Sequence, residues 1–233
     1  MSQKTLPAGT IGISLRLTGA GQLLAALGVV LQWQAGGPLS GIAYPLGAVA
    51  ILWLDRRSPF APLAAIALSA WVLIGGFLSG STMSGLDSGD GLRVAGGLLV
   101  LAGLAVSTLA ALASIGVALR DRTGPLVPPW KTTGTRLAAL VLMILAMVTV
   151  GLGLATALGI GGPGPILFFT LPVLVALVPG RSMVLLGVLM SGVFIDGVLS
   201  NPRLDLAASA VQLSGLAVTI LAGATLLLLP RRD

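Results

Sequence analysis

The sequence predicts an all-α protein. It reads as a polytopic bundle of about eight membrane-spanning helices, built as two parallel four-helix repeats, with both termini in the cytoplasm. Three observations predict this. Apolar runs of roughly 20 residues recur along the chain, the length a hydrocarbon core of about 30 Å requires. Hydrophobic residues make up 56% of the chain and charged residues 9%, with a mean hydropathy of +1.05. A soluble domain carries about 25% charged residues, so this chain cannot cover a water-facing surface. The stretches around Gly36-Gly37-Pro38 and Gly161-Gly162-Pro163 resemble each other, and the rest of the chain arranges itself around that pair.

In order, span 1 covers about 17–31 and follows Arg16. The uncharged Gly36-Gly37-Pro38 sequence is a tight turn into span 2, about 39–54, which ends on Asp55-Arg56-Arg57. Span 3 covers 59–79 and span 4 covers 94–119. A proline-rich connection follows; Pro125, Pro128 and Pro129 resist a helix and Trp130 suits an interface. Span 5 covers 137–158, span 6 about 165–178, span 7 about 183–198 and span 8 about 206–229. The domain division is 1–122 for the first repeat, 123–135 for the connection and 136–233 for the second repeat. Spans 1, 2, 6 and 7 are short, and a six-span arrangement with one short pair re-entrant is the competing topology.

The basic residues support eight. With the N-terminus inside, Lys4, Arg16, Arg56, Arg57, Arg120, Arg122, Lys131, Arg136, Arg181, Arg231 and Arg232 fall on the cytoplasmic side, and only Arg93 and Arg203 fall outside. A strong positive-inside bias of this kind would be scrambled by a missed or false span. Residues 1–15 hold one Lys and no adequate apolar core, so a cleavable signal is not expected.

Both repeats carry matching segments in the same order. Ala102-Gly-Leu-Ala-Val-Ser-Thr-Leu-Ala in span 4 matches Ser214-Gly-Leu-Ala-Val-Thr-Ile-Leu-Ala in span 8, and Arg120-Asp121 matches Arg232-Asp233 in that register. Ala65 and Ser69 in span 3 match Gly187 and Ser191 in span 7 as small residues four apart, which let helices approach closely. Gly76-Phe-Leu-Ser79 matches Gly197-Val-Leu-Ser200, and Arg16-Leu17 matches Arg136-Leu137. Four spans per half is an even number, so both halves enter the membrane in the same sense.

Composition excludes several chemistries. The chain has no Cys and no His, and its seven acidic residues are all Asp. Disulfides, thiolate or imidazole metal sites and Ser-His nucleophiles are therefore absent, and no cofactor, metal or catalytic residue is assigned. A net charge of +6 is spread singly over span ends, so no nucleic-acid surface is expected.

The candidate site residues come from the spans themselves. Pro45 and Pro172 interrupt the short spans 2 and 6 at corresponding places. Each removes an amide donor and frees a carbonyl one turn back, which in a bilayer must find a partner or line a cavity. Broken short spans at matching places in two halves point to a solute site or a hinge. Tyr44, the only tyrosine, adjoins Pro45. Gln22 and Gln212 are amides at buried depth, suited to binding between helices or to lining a path. Asp196 is the one acid within a span, about 22 Å along the helix from Arg181 and hence near the outer interface. The expected function is a small transporter- or permease-like protein for a neutral or lipid-like solute, not an enzyme, in the cell membrane and by composition a bacterial inner membrane. The alternative is a non-catalytic subunit or scaffold. The expected partners are the lipid bilayer and either another membrane protein or a second copy of the chain.

Overall fold

The computed structural model describes residues 8–56, 58–78, 85–120, 129–132, 134–159, 163–199 and 206–229. Among these the regular structure is entirely helical. Eight α-helices stand at the eight predicted spans: α1 (Ala8–Gln34), α2 (Ala43–Leu54), α3 (Ala61–Leu78), α4 (Gly91–Arg120), α5 (Thr135–Leu158), α6 (Pro163–Leu177), α7 (Ser182–Leu199) and α8 (Leu206–Leu228). Short 3-10 turns cover Ser40–Ile42 and Pro129–Lys131. Helices α1, α4, α5, α7 and α8 are long and apolar enough to cross a membrane; the other three are apolar but shorter. The chain therefore has the make-up of a multi-pass membrane protein. Its outward faces agree: Leu109, Leu145 and Leu221 lie mid-helix and are more than half exposed. Lipid tails are as apolar as leucine, so such faces meet no penalty there.

Span 1 proves longer than expected. Span 1 was bounded at Arg16, yet α1 begins at Ala8 and runs 27 residues. Arg16 thus lies two turns inside a helix, exposed, whereas Arg136 is the second residue of α5. A long side chain near a helix end can carry its charge to the interface, so the charge did not mark the helix start. At its other end α1 stops because Gly36 adopts φ +82, a conformation that favours glycine. Gly36 N–H donates to the Trp33 carbonyl and Gly37 N–H to the Gln32 carbonyl, both at 2.9 Å, so the last carbonyls are satisfied before Pro38 prevents further helix. The matching Gly161-Gly162 lies outside the described residues, as do Arg57, Ser79, Arg122, Pro125, Pro128, Ser200, Arg203 and the chain ends.

The chain divides into two compact units, Met1–Pro125 and Leu126–Asp233. In the first, α1 lies along α4, α4 also packs on α3, and α2 packs on α1 and α3. The α1–α4 contact is backbone on backbone. A Cβ added to Gly103 would sit 2.5 Å from the Gly21 carbonyl oxygen and from the Ala25 nitrogen, and one on Gly28 would sit 2.5 Å from the Gly96 carbonyl oxygen. Two glycines two turns apart on each antiparallel helix let the backbones meet. In the second unit α5 packs on α8 and α6, and α7 on α8 and α6. Its core is side chains rather than backbone: Met143, Met147, Phe168, Met183, Met190 and Leu216 are fully buried, with the Phe168 and Phe194 rings edge to face at 5.0 Å.

Candidate functional site

A cavity of about 530 Å³ opens in the first unit, at the end that carries the α1–α2 and α3–α4 connections. Local sequence builds it. Glycines 36, 37, 41, 75, 76, 85 and 97 supply no side chains and leave the space open. The wall is apolar, from Val29, Val72, Leu73, Val100, Leu101 and the Trp71 ring. Polar groups come from three helices: Gln32 on the last turn of α1, Tyr44 on the first turn of α2 and Arg93 on the first turn of α4. The volume falls in the range of small-molecule sites, and the cavity is half open to its surroundings.

Arg93 is positioned by both helices it touches. Asp90 caps α4, its Oδ1 accepting from the backbone N–H groups of Leu92 at 2.8 Å and Arg93 at 3.4 Å. The Arg93 Nε donates to the Ala35 carbonyl at 3.0 Å, at the negative end of α1. Among the described residues no carboxylate pairs with its guanidinium, and the Gln32 amide and Tyr44 hydroxyl bond to no described residue. Gln32 lies close over Gly97; a Cβ there would be 3.4 Å from its Nε2.

Of the sequence candidates, Tyr44 lines this cavity and the others do not. Pro45 is buried as the third residue of α2, in the first turn. That turn comes just after the 3-10 turn Ser40–Ile42, and a missing amide is tolerated there. Pro172 does stand inside α6, buried, and removes the bond to the Phe168 carbonyl one turn back. The two prolines therefore sit differently in their helices, and the expected matched interruption is confined to α6. Asp196 is exposed near the end of α7 and is engaged with other groups of the protein.

Gln22 forms the polar centre of the first unit, below the cavity. It is fully buried, and its Nε2 donates to Ser107 Oγ at 2.8 Å and Ser69 Oγ at 2.9 Å, with the Ala65 carbonyl at 3.5 Å. One amide thus ties α1 to α3 and α4. One helical turn away on the same face of α1, Thr18 bonds to the Ser14 carbonyl at 2.8 Å, and Ser14 meets Ser114 Oγ at 2.5 Å. Polar groups therefore follow one face of α1 from half-buried Ser14 to fully buried Thr18 and Gln22. Between Gln22 and the cavity Ala25 and Ala26 are buried and Gly28 packs on Gly96 and Val100 of α4. Gln212 is equally buried in the second unit, against Gly153, but neither its Nε2 nor its Oε1 has a partner among the described residues.

Sequence reasoning missed Gln32, Trp71 and Arg93 as cavity residues. A signal existed for Arg93, which was one of only two basic residues on the expected outer side. Fold and site together define a multi-pass helical membrane protein with a small-molecule-sized cavity in its first unit. No family model, no curated protein and no solved structure matches the chain.

Proposed function

We propose that the protein is a small transporter- or permease-like membrane protein that admits an amphipathic solute through the cavity of its first unit. The observation that carries the reading is that cavity: about 530 Å³, apolar walls, and the polar groups of Gln32, Tyr44 and Arg93 lining it. The polar face of α1 from Ser14 to Gln22 continues below it, and the α1–α4 glycine contact lies between the two, as a closed gate would. By the Lys and Arg distribution both termini are cytoplasmic and the cavity opens outward. No catalytic step is assigned to it.

The two units read as parallel repeats, and their helix pairing supports this: first with fourth, first with second and third with fourth in each. Gly103 fits between Gly21 and Ala25 as Gly215 fits against Ala146 and Val150. Gly28 faces Val100 as Gly153 faces Gln212. In this register Met147 takes the place of Gln22, since Gly187, the match of Ala65, accommodates its methyl end. Ser191, the match of Ser69, is then left with its hydroxyl unpartnered, and Thr219, the match of Ser107, turns to the Gly215 carbonyl at 2.9 Å. The second unit has hydroxyls at the matching places without an amide joining them, which supports reading the solute path in the first. This register does not align Arg16 with Arg136.

The test is gentle purification from native membranes followed by mass spectrometry of what accompanies the protein. A lone protein carrying a bound amphiphile, lost in a Gly97→Leu variant that fills the cavity, is the expected result. A stoichiometric protein partner and no bound small molecule would sink the transporter reading and make the protein a subunit or scaffold.

A further inference from the structure

The cavity wall is apolar, yet a full positive charge lines it. The bond from Arg93 Nε to the Ala35 carbonyl fixes the guanidinium and leaves four of its five N–H donors on the two terminal nitrogens. Nη2 lies over Gly36, itself part of the lining: a Cβ there would be 3.5 Å from it. Neither acid on the adjoining connection is paired with the Arg93 guanidinium among the described residues. Asp87 and Asp90 are exposed, and Asp90 Oδ1 is turned to the backbone at the start of α4. A half-buried cation with no carboxylate partner among the described residues favours an anionic ligand, and a planar guanidinium fork matches the two oxygens of a carboxylate or phosphate. The Gln32 amide and the Tyr44 hydroxyl are further donors for the remaining oxygens. Beyond them Trp71, Val100 and Leu101 line the cavity with largely apolar side chains.

We infer that the cavity binds its solute by an anionic head, a carboxylate or phosphate monoester held by Arg93 with Gln32 and Tyr44, and that an alkyl or aromatic body lies against Trp71, Val100 and Leu101. The inference rests on the reading of this cavity as the solute site. It replaces the neutral solute expected from composition, because scarcity of charge along the chain said nothing of where Arg93 would be placed.

The test is equilibrium dialysis of the full chain in nanodiscs, with empty nanodiscs as the blank, against labelled octanoate, octyl phosphate, octanol and octylamine, and against acetate and inorganic phosphate. Octanoate and octyl phosphate bind about ten- to a hundredfold more tightly than octanol, the range of a charge-assisted bond, and octylamine binds least. Acetate and inorganic phosphate bind far more weakly than their octyl forms if the source is an amphiphile; equal binding of the short anions would overturn the apolar-body half of the inference. Arg93→Gln brings octanoate to the level of octanol, while Arg93→Lys keeps a preference for the acid. A merely structural Arg93 would weaken every probe together and leave the acid-to-alcohol ratio unmoved. Equal binding of octanol and octanoate by the wild-type protein overturns the anionic head and leaves the solute cavity standing. Failure of every octyl probe on the wild-type protein removes the cavity reading itself.

Discussion

Replacing Gly103 by alanine tests whether the first unit is held by backbone contact. The new Cβ would lie 2.5 Å from the Gly21 carbonyl oxygen and the Ala25 nitrogen, and 3.1 Å from the Ala25 Cα, where ordinary contact is 3.4–4 Å. These are backbone atoms in the middle of a helix, so no rotamer change relieves the overlap. Helices α1 and α4 must part locally by about 0.9 Å, and a gap of that size forfeits a quarter to a half of each dispersion well along the seam. Overpacking of this kind costs about 1–3 kcal/mol, and the better helix propensity of alanine returns about 1 kcal/mol at most. A net loss of about 0–2 kcal/mol against the wild type, and of about 1–3 kcal/mol against Gly116→Ala, which shares the propensity gain, is expected for Gly103→Ala. Gly116→Ala on the same helix, with nothing within 4 Å of its Cβ, should lose nothing. The assay is reversible unfolding from dodecyl maltoside into sodium dodecyl sulfate, followed by circular dichroism. Gly21→Ala, whose Cβ would lie 2.6 Å from the Gly103 oxygen and the Ser107 nitrogen, should be sub-additive with Gly103→Ala, because the first substitution has already parted the helices. The reasoning is refuted if Gly103→Ala and Gly116→Ala unfold together, or if the double variant is fully additive.

Other outcomes follow from the same contacts. Gln22→Met lacks the room that Gly187 gives Met147, because Ala65 stands at the matching place, so it should add an overpacking cost of about 1–3 kcal/mol to the lost hydrogen bonds, and Gln22→Ala, which leaves a cavity, should cost about 2 kcal/mol or more in the same unfolding assay. Gly187→Ala would meet only the mobile ends of Met143 and Met147, so it should be milder than Gly103→Ala; an equal loss would show that the methionines cannot shift. Pro172→Ala restores a bond to the Phe168 carbonyl inside α6 and should change stability measurably, while Pro45→Ala, in a first turn, should stay within about 0.5 kcal/mol; matching effects at both sites would contradict the different placements. Because the chain has no Cys, Tyr44→Cys and Lys131→Cys give single-site reporters. An impermeant maleimide should label the first in intact cells and the second only after lysis, and the reverse pattern would invert the topology.

The class and the positions of the helices were legible in the sequence, since hydropathy and turn chemistry are local. Gly36, Gly37 and Pro38 stop α1 by φ and by a missing N–H, whatever the rest of the chain does. Arg16 misled because the energy of a snorkelling side chain depends on depth along a helix, which the string of letters does not carry. What only the tertiary structure decided is which residues meet. Gln22 and Gln212 are the same residue type at similar burial, yet one gathers Ser69 and Ser107 while the other has no partner among the described residues. Pro45 and Pro172 are separated in role by a few residues of helix start. Arg93 read as a flank, and it became the charge of a cavity because α1, α2, α3 and α4 leave room there and its Nε finds the end of α1. Hydrogen bonds and cavities depend on distances between residues far apart in the chain, and those distances are set by how helices pack rather than by where each begins and ends.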